Sequence, residues 1–287
     1  MTQSLLFSER FTSLQCEGER IGMPSIFLRA FGCNFTCDGW GRGTPPKDAL
    51  DRFQINPENY SDFNELPIPD VGCDSYASWD PRFKDFSEKY TTAEIAEYVR
   101  SESEKLQVND HQLIFTGGEP LLKKAQRFWT ELLTEHEDYY VPDMLTIETN
   151  GSQPLTPELA DVLYGHDTLF AVAVKLSNTG EPEAKRLQPD VLAQYAGVGR
   201  VILKFVVGSE EDLAEADLTA EKLRSEAGLT RLASEAGYHF PVYLMPVGGT
   251  DKLYYENQTW LANRCLDTGF YYSPRLQINL FGNGWAT

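Results

Sequence analysis

The chain has 287 residues, 41% hydrophobic and 24% charged, enough material for one large soluble core or two small ones. Its formal net charge of −18 excludes a surface built to grip nucleic acid, which needs clustered Lys and Arg. No run of about 18 apolar residues marks a transmembrane span, and the first eleven residues, MTQSLLFSERF, lack a signal peptide's basic and apolar regions. A cytoplasmic protein with no membrane partner is therefore expected. The acidic excess reads as a solvated exterior, which leaves room for a local basic pocket.

Along the chain, short β-rich runs alternate with longer helical ones, with no solenoid-period repeat and no low-complexity tract. Strands are predicted at Ser25–Phe31, Gln112–Phe115, Leu145–Glu148, Leu169–Lys175, Arg200–Val207, Val242–Pro246 and Leu276–Phe281, each rich in Val, Ile, Leu or Phe as buried parallel strands are. After the first strand, the stretch 38–72 breaks the rhythm. It carries five prolines and many Asp and Asn, and loops of such length in a compact domain are usually functional or mobile. Thr91-Thr92-Ala93-Glu94 reads as a capping box opening a helix to about Lys105. Thr156-Pro157 supplies an N-cap followed by proline at the first helical position. The acidic, Ala/Leu-rich stretch 209–237 reads as two helices, and 260–268 as a helix with Cys265 in the core. Strand–helix alternation implies an α/β protein with a parallel sheet and right-handed crossovers. The number of units favours a partial (β/α)6-type barrel; a doubly wound open sheet is the alternative.

Cys16, Cys33, Cys37, Cys73 and Cys265 are an odd set, poor as a disulfide framework. Four lie within the first 73 residues, which favours a metal or cluster site. Cys33 and Cys37 follow a strand end, where two thiolates can bind iron from one loop; two buried small hydrophobes are the other reading. Thr116-Gly117-Gly118-Glu119-Pro120 follows the strand QLIF. Its glycines let backbone approach a ligand closely, or simply make a strand–helix turn.

Together these segments resemble the radical S-adenosylmethionine (SAM) superfamily, whose cluster motif is C-x3-C-x2-C and whose GGEP turn holds the SAM amino group. Position 40, where a third cysteine would fall, is Trp40. The next cysteine begins Cys73-Asp74-Ser75, a context like that of the 7-carboxy-7-deazaguanine synthase family. The pattern thus reads C-x3-C-x35-C, with 38–72 an inserted loop in a single radical SAM domain, 1–287. Because loop closure cost grows only logarithmically with length, the insertion is tolerable. The segment from Phe11 to Glu19, FTSLQCEGE, also resembles that family's N-terminal substrate segment, with Cys16 in place of its first glycine. So do Arg29 in Phe27-Leu28-Arg29, Glu148-Thr149-Asn150-Gly151, Lys175-Leu176-Ser177-Asn178 and the later strands. The C-terminal segments Ser273-Pro274-Arg275-Leu276 and Leu280-Phe281-Gly282-Asn283 resemble the family's end.

The resemblance implies a lyase that contracts 6-carboxy-5,6,7,8-tetrahydropterin to 7-carboxy-7-deazaguanine in 7-deazaguanine (queuosine-type) biosynthesis. It implies a [4Fe–4S] cluster on Cys33, Cys37 and Cys73, SAM against Gly117, Gly118, Glu119, Lys175 and Ser177, and Mg2+ on Ser75. Substrate would meet Leu14, Gln15, Cys16, Glu17, Arg29, Thr116 and Thr287. A flavodoxin- or ferredoxin-type reductant is implied, a homodimer is allowed, and no direct nucleic-acid contact is expected. Each residue has a plainer reading too. Arg29, in an apolar strand, needs an anion, either the substrate carboxylate or an internal partner. Gln15 and Glu17 can bond a pterin edge or belong to a solvated turn. Thr116 bonds substrate or caps a helix, Ser75 binds a hard cation or makes a turn, and Lys175 is otherwise a solvated strand-end lysine. The alternatives for the whole chain are a glycyl-radical activase-type radical SAM enzyme and a non-catalytic iron–sulfur or SAM-binding protein.

Overall fold

Six of the seven predicted strands join one nine-stranded sheet. The computed structural model describes residues 2–39, 55–69, 72–106, 108, 110–135, 141–228, 240–249, 251–282 and 284–287. The order of elements is β1 (Ser4–Leu14), β2 (Pro24–Ala30), β3 (Glu88–Thr91), α1 (Thr92–Leu106), β4 (Gln112–Gly117), α2 (Lys123–Thr134), β5 (Met144–Thr149), α3 (Pro157–Tyr164), β6 (Asp167–Ala173) and α4 (Glu183–Arg186). There follow α5 (Pro189–Val198), β7 (Arg200–Val207), α6 (Glu210–Glu226), β8 (Val242–Pro246), α7 (Asp251–Thr268), β9 (Tyr271–Tyr272) and α8 (Leu276–Phe281). Across the sheet the strands run β3-β1-β2-β4-β5-β6-β7-β8-β9. From β2 to β9 every pair is parallel, while β1 is antiparallel to β2 and β3. Once β3 has paired with the outer edge of β1, the parallel strands from β2 through β4 to β9 are added in one direction, without the reversal that defines a doubly wound sheet.

Local signals explain the helix starts. Thr91 N–H and Oγ donate to Glu94 Oε2 at 2.7 Å, and Glu94 N–H returns to Thr91 Oγ, the reciprocal box read from sequence. Thr156 caps α3 through Leu159 N–H, with Pro157 inside the first turn. Within 209–237, α6 is the first expected helix; 229–239 lie outside the described residues.

Leu276–Phe281 is a correction, because this segment is helix rather than strand. The alternation in LQINLF imitates a strand over so short a run, and the stop signal lies just beyond. Gly282 takes the left-handed conformation, φ 67°, that closes a helix end. The start is held from outside by the bond from Leu276 N–H to Cys16 O.

Alternation along each strand divides the sheet into two faces. Leu28, Phe115, Ile147, Phe170 and Val201 are successive cross-strand neighbours. All are buried with helix residues such as Ala96, Phe128 and Leu223 in the main core. A fully buried side chain of this kind contributes about 1.5–3 kcal/mol. Trp129 of α2 stacks on Phe115 with ring centroids 4.2 Å apart and donates its indole N–H to Pro120 O at 2.7 Å. The core thereby fixes the turn that follows β4. The next row, one residue on, carries Arg29 opposite Thr116, and Glu148 opposite Ala171, and turns away from the helices.

The inserted stretch is not structureless where it is described; 40–54 and 70–71 lie outside the described residues. Short 3-10 turns at Pro57–Asn59 and Phe63–Glu65 lead into others at Tyr76–Ser78 and Pro81–Phe86. Ile55, Phe63, Leu66, Tyr76, Trp79 and Phe83 form a second small core, against which Cys33, Cys73 and Trp285 pack.

Candidate active site

The face of the sheet turned from the helices opens on a cavity of about 230 Å³. Its floor is built from strand ends. Arg29 closes β2, Thr116 and Gly117 close β4, Glu148 and Thr149 close β5, and Lys204 lies in β7; all line the cavity. The opposite strand ends are tied by Arg20, a buried arginine. It donates to Gln112 Oε1, Leu145 O and Thr146 Oγ, and pairs with Asp167 at 2.9 Å.

Cys33, Cys37 and Cys73 are free thiols on the wall of this cavity. Cys37 has φ 50°, a left-handed backbone that non-glycine residues rarely adopt. Glu181 Oε1 holds that turn by accepting from Thr36 N–H at 2.7 Å and Cys37 N–H at 3.2 Å. Asn150 and Ser152, after β5, brace the same loop through Asn34. The sulfurs receive donors: Phe35 N–H to Cys33 at 3.3 Å and Trp79 Nε1–H to Cys73 at 3.4 Å. Burial pushes the Cys33 thiol up to about 12 and raises Cys37 and Cys73 as well. Among the described residues, no three His, Cys, Asp or Glu side chains close on a single metal ion. A multi-iron cluster instead takes its thiolates on different irons, so three thiols facing a shared cavity suit it.

The two glycines after β4 serve this loop. A Cβ on Gly117 would lie 2.1 Å from Ala30 O, and one on Gly118 2.4 Å from Gly32 O and 2.8 Å from Cys33 Cβ. They let the turn lie directly against the cysteine loop, and Glu119 N–H donates to Gly32 O at 2.8 Å.

Charged groups fill the other wall. Glu17 accepts from Lys204 Nζ at 2.9 Å, Arg275 Nε at 3.4 Å and Gln277 Nε2 at 3.2 Å. Burial alone would raise its pKa, but the Lys204 and Arg275 cations outweigh that and hold the carboxyl down at about 2. Lys204 is 4% exposed. Burial opposes its charge, yet Glu17 and Glu148 more than offset this and raise its pKa above the usual lysine value. Arg275 also bonds Asp74, the neighbour of Cys73, and Gly248 O. Phe11 and Phe27 stack at 4.7 Å on the same side.

A curated relative, the 7-carboxy-7-deazaguanine synthase of Rhodopirellula baltica, is 27% identical over 297 residues, covering 99% of this chain and 89% of the relative. The enzyme of that name from Halobacterium salinarum is 27% identical over 298 residues, covering 99% and 93%. The chain is similar along nearly its whole length to 7-carboxy-7-deazaguanine synthases. The solved structure of QueE from Escherichia coli covers 94% of this chain and 93% of its own with a TM-score of 0.53; at 17% identity it speaks for the fold alone. No family model matches the chain.

Most of the residues that resemble those of these synthases meet at the cavity. Gln15, Cys16, Glu17, Arg29, the three cysteines, Ser75, Thr116, Gly117, Gly118, Lys175 and Thr287 all line it. Several have protein partners. Arg29 Nε donates to Glu9 at 2.6 Å, the internal partner read as one alternative from sequence. Thr116 Oγ donates to Glu148 at 2.9 Å rather than capping the following helix. Gln15 donates to Glu148 at 3.3 Å, and its amide oxygen accepts from Cys16 and Glu17 N–H, so it also shapes its own turn. Ser75 Oγ donates to Asp74 at 3.3 Å. Cys16 is buried, donates to Leu14 O at 3.2 Å, and has its thiol raised to about 12 by burial.

Three expected contacts fall elsewhere. Leu14 does not line the cavity; its carbonyl takes the Cys16 thiol. Glu119 is 1% exposed and turned from the cavity. Its carboxylate accepts from Leu121 N–H, Thr149 Oγ and Asn150 N–H, and burial raises its pKa to about 7. Ser177 also lies off the cavity, with its N–H and hydroxyl both given to Glu215 of α6. Conversely, Glu148, Lys204, Arg275 and Asp74 stand in segments that carry the resemblance, but neither they nor Glu9 has a site role assigned from sequence. For Glu148 and Lys204 a signal existed, a charge within an apolar strand run, as at Arg29. Glu9 and Arg275 carry no such mark.

Proposed function

We propose that the protein is a radical SAM lyase that converts 6-carboxy-5,6,7,8-tetrahydropterin to 7-carboxy-7-deazaguanine with loss of ammonia. The observation that carries this reading is one cavity bearing three free thiols on one wall and a charged strand-end row on the other. The one-directional order of the parallel strands β2 to β9 supports a partial (β/α)6-type barrel, and we read 38–72 as an insertion into a single domain.

Cys33, Cys37 and Cys73 would hold a [4Fe–4S] cluster, since thiolates suit iron–sulfur sites. Bound together, the cluster and SAM supply a 5′-deoxyadenosyl radical, the hydrogen-abstracting chemistry of the superfamily. Gly117, Gly118 and Lys175 would hold SAM beside the cysteine loop. Arg29 would bond the substrate carboxylate through its fork of donors. Glu17, Gln15 and Thr116 would bond the edge of the pterin, and the stacked Phe11 and Phe27 would offer its ring an apolar surface. Ser75 beside Asp74 would offer oxygens to Mg2+, a hard cation that would stabilise negative charge on the substrate. Thr287 would reach the substrate from the C-terminal segment. A flavodoxin- or ferredoxin-type donor is the proposed source of electrons.

The test is reconstitution with iron and sulfide, then incubation with SAM, reductant and the carboxypterin, with and without Mg2+. The expected product has the mass of 7-carboxy-7-deazaguanine, and Cys73→Ala lacks the cluster's visible absorption while Cys16→Ala keeps it. No deazapurine product from a fully loaded protein would refute the reading, and a rate indifferent to Mg2+ would remove the role given to Ser75.

A further inference from the structure

The described part of the inserted stretch is joined to the far end of the chain. Trp285 donates its indole N–H to Leu66 O at 2.6 Å, and its ring stands edge-on to Phe63 at 4.7 Å and to Tyr76 at 6.0 Å. Phe63 and Tyr76 belong to the small core that also packs on Cys33 and Cys73. The next residue, Ala286, has φ 58°, a conformation that L side chains rarely adopt unless their surroundings hold them there. Its N–H donates to Glu9 Oε1 at 2.8 Å, and the other oxygen of Glu9 accepts Arg29 Nε at 2.6 Å. Thr287 and Arg29 then face the same cavity.

This chain of contacts has a direction. The Glu9 side chain is 5% exposed, and a buried carboxylate needs partners for both oxygens. Here one partner is a backbone N–H whose position depends on Trp285, and the other is Arg29. With Nε held by Glu9, the guanidinium keeps its Nη donors for a second anion, and its aim follows that of Glu9. We propose that Trp285 and Glu9 are positioning residues, with residues 55–69, between the second and third cluster cysteines, serving as the socket for Trp285. Specificity for a carboxylated substrate thereby depends on the insertion as well as on the sheet. The proposal rests on the reading that Arg29 meets the substrate carboxylate.

The experiment uses the full, reconstituted protein and the variants Trp285→Ala, Trp285→Phe and Glu9→Gln. Iron per chain should stay at the wild-type level in all three. KM for the carboxypterin should rise between about tenfold and a hundredfold in Trp285→Ala and Glu9→Gln, as misplaced binding groups do, with a smaller change in kcat. Trp285→Phe keeps the ring and should recover much of the loss. Hydrogen exchange of the 55–69 peptide should speed up in Trp285→Ala, a readout that needs no substrate. Iron lost in step with activity at unchanged KM would make Trp285 a brace for the cluster loop and overturn the proposal. Unchanged exchange in 55–69 would overturn the socket by itself. If loaded wild-type protein makes no deazapurine, the function reading fails, and the exchange result still decides the socket.

Discussion

Leu203 and Lys204 are consecutive residues of β7 with opposite duties. Leu203 is fully buried among the helix-facing side chains. Lys204, nearly as buried, is charged, paired with Glu17 and part of the cavity wall. The helix face is held by apolar area that needs no particular partner. The cavity face is held by named ion pairs, each of which fails if one member goes. A period of two residues keeps these demands apart, so one strand can serve stability on one side and recognition on the other.

The largest expected effect is on the cavity face. Arg29→Ala strands Glu9 and removes the proposed carboxylate anchor. Breaking a buried charged pair costs about 3–5 kcal/mol, so carboxypterin affinity should fall roughly a hundredfold or more, with SAM binding as control. Normal binding of the carboxypterin would leave Arg29 as no more than the partner of Glu9. On the helix face, Leu203→Ala should cost about 2–5 kcal/mol of stability in denaturant and leave KM unchanged. A KM effect equal to that of a cavity variant would dissolve the distinction between the faces.

Glu17 sharpens the comparison through pH. Its folded pKa of about 2 lies below the unfolded value near 4.5. Its contribution is therefore present above about pH 4.5 and is lost as pH falls toward 2. At about 1.4 kcal/mol per unit, the pH-dependent part amounts to roughly 3 kcal/mol. Acid unfolding of Glu17→Gln should lack that part; an unaltered acid profile would mean that Lys204 and Arg275 do not stabilise the Glu17 anion. The smallest effect belongs to Ser177→Ala, off the cavity on Glu215. SAM affinity should be unchanged and stability should move by less than about 0.5 kcal/mol. A clear loss of SAM binding by calorimetry would bring Ser177 back to the site.

The apolar strands, the caps at Thr91 and Thr156, and the cysteine and GGEP segments were legible because each signal is local. Arg200–Val207 and Val242–Pro246 were bounded to the residue. β1 was missed because an antiparallel strand with polar residues on both faces lacks the continuous apolar run sought. β9 has two residues and exists only because β8 offers it an edge. For Glu119 the sequence lacks the direction of the side chain. Its motif was plain, but the direction of its side chain is set by Thr149 and Asn150, thirty residues on.

The sequence by itself determined which residue types the site would use, because a thiol, a guanidinium or a glycine pair announces its chemistry wherever it stands. It also determined the strand period that sends Arg29, Thr116, Glu148 and Lys204 to one face. Only the tertiary structure decided who partners whom: Arg29 with Glu9, Glu17 with Lys204 and Arg275, Trp285 with the stretch between the cysteines. The physical reason is range. Period, capping and turn chemistry act over a few residues, whereas a buried charge takes whichever opposite charge packing brings within about 4 Å, and no local pattern records which one that will be.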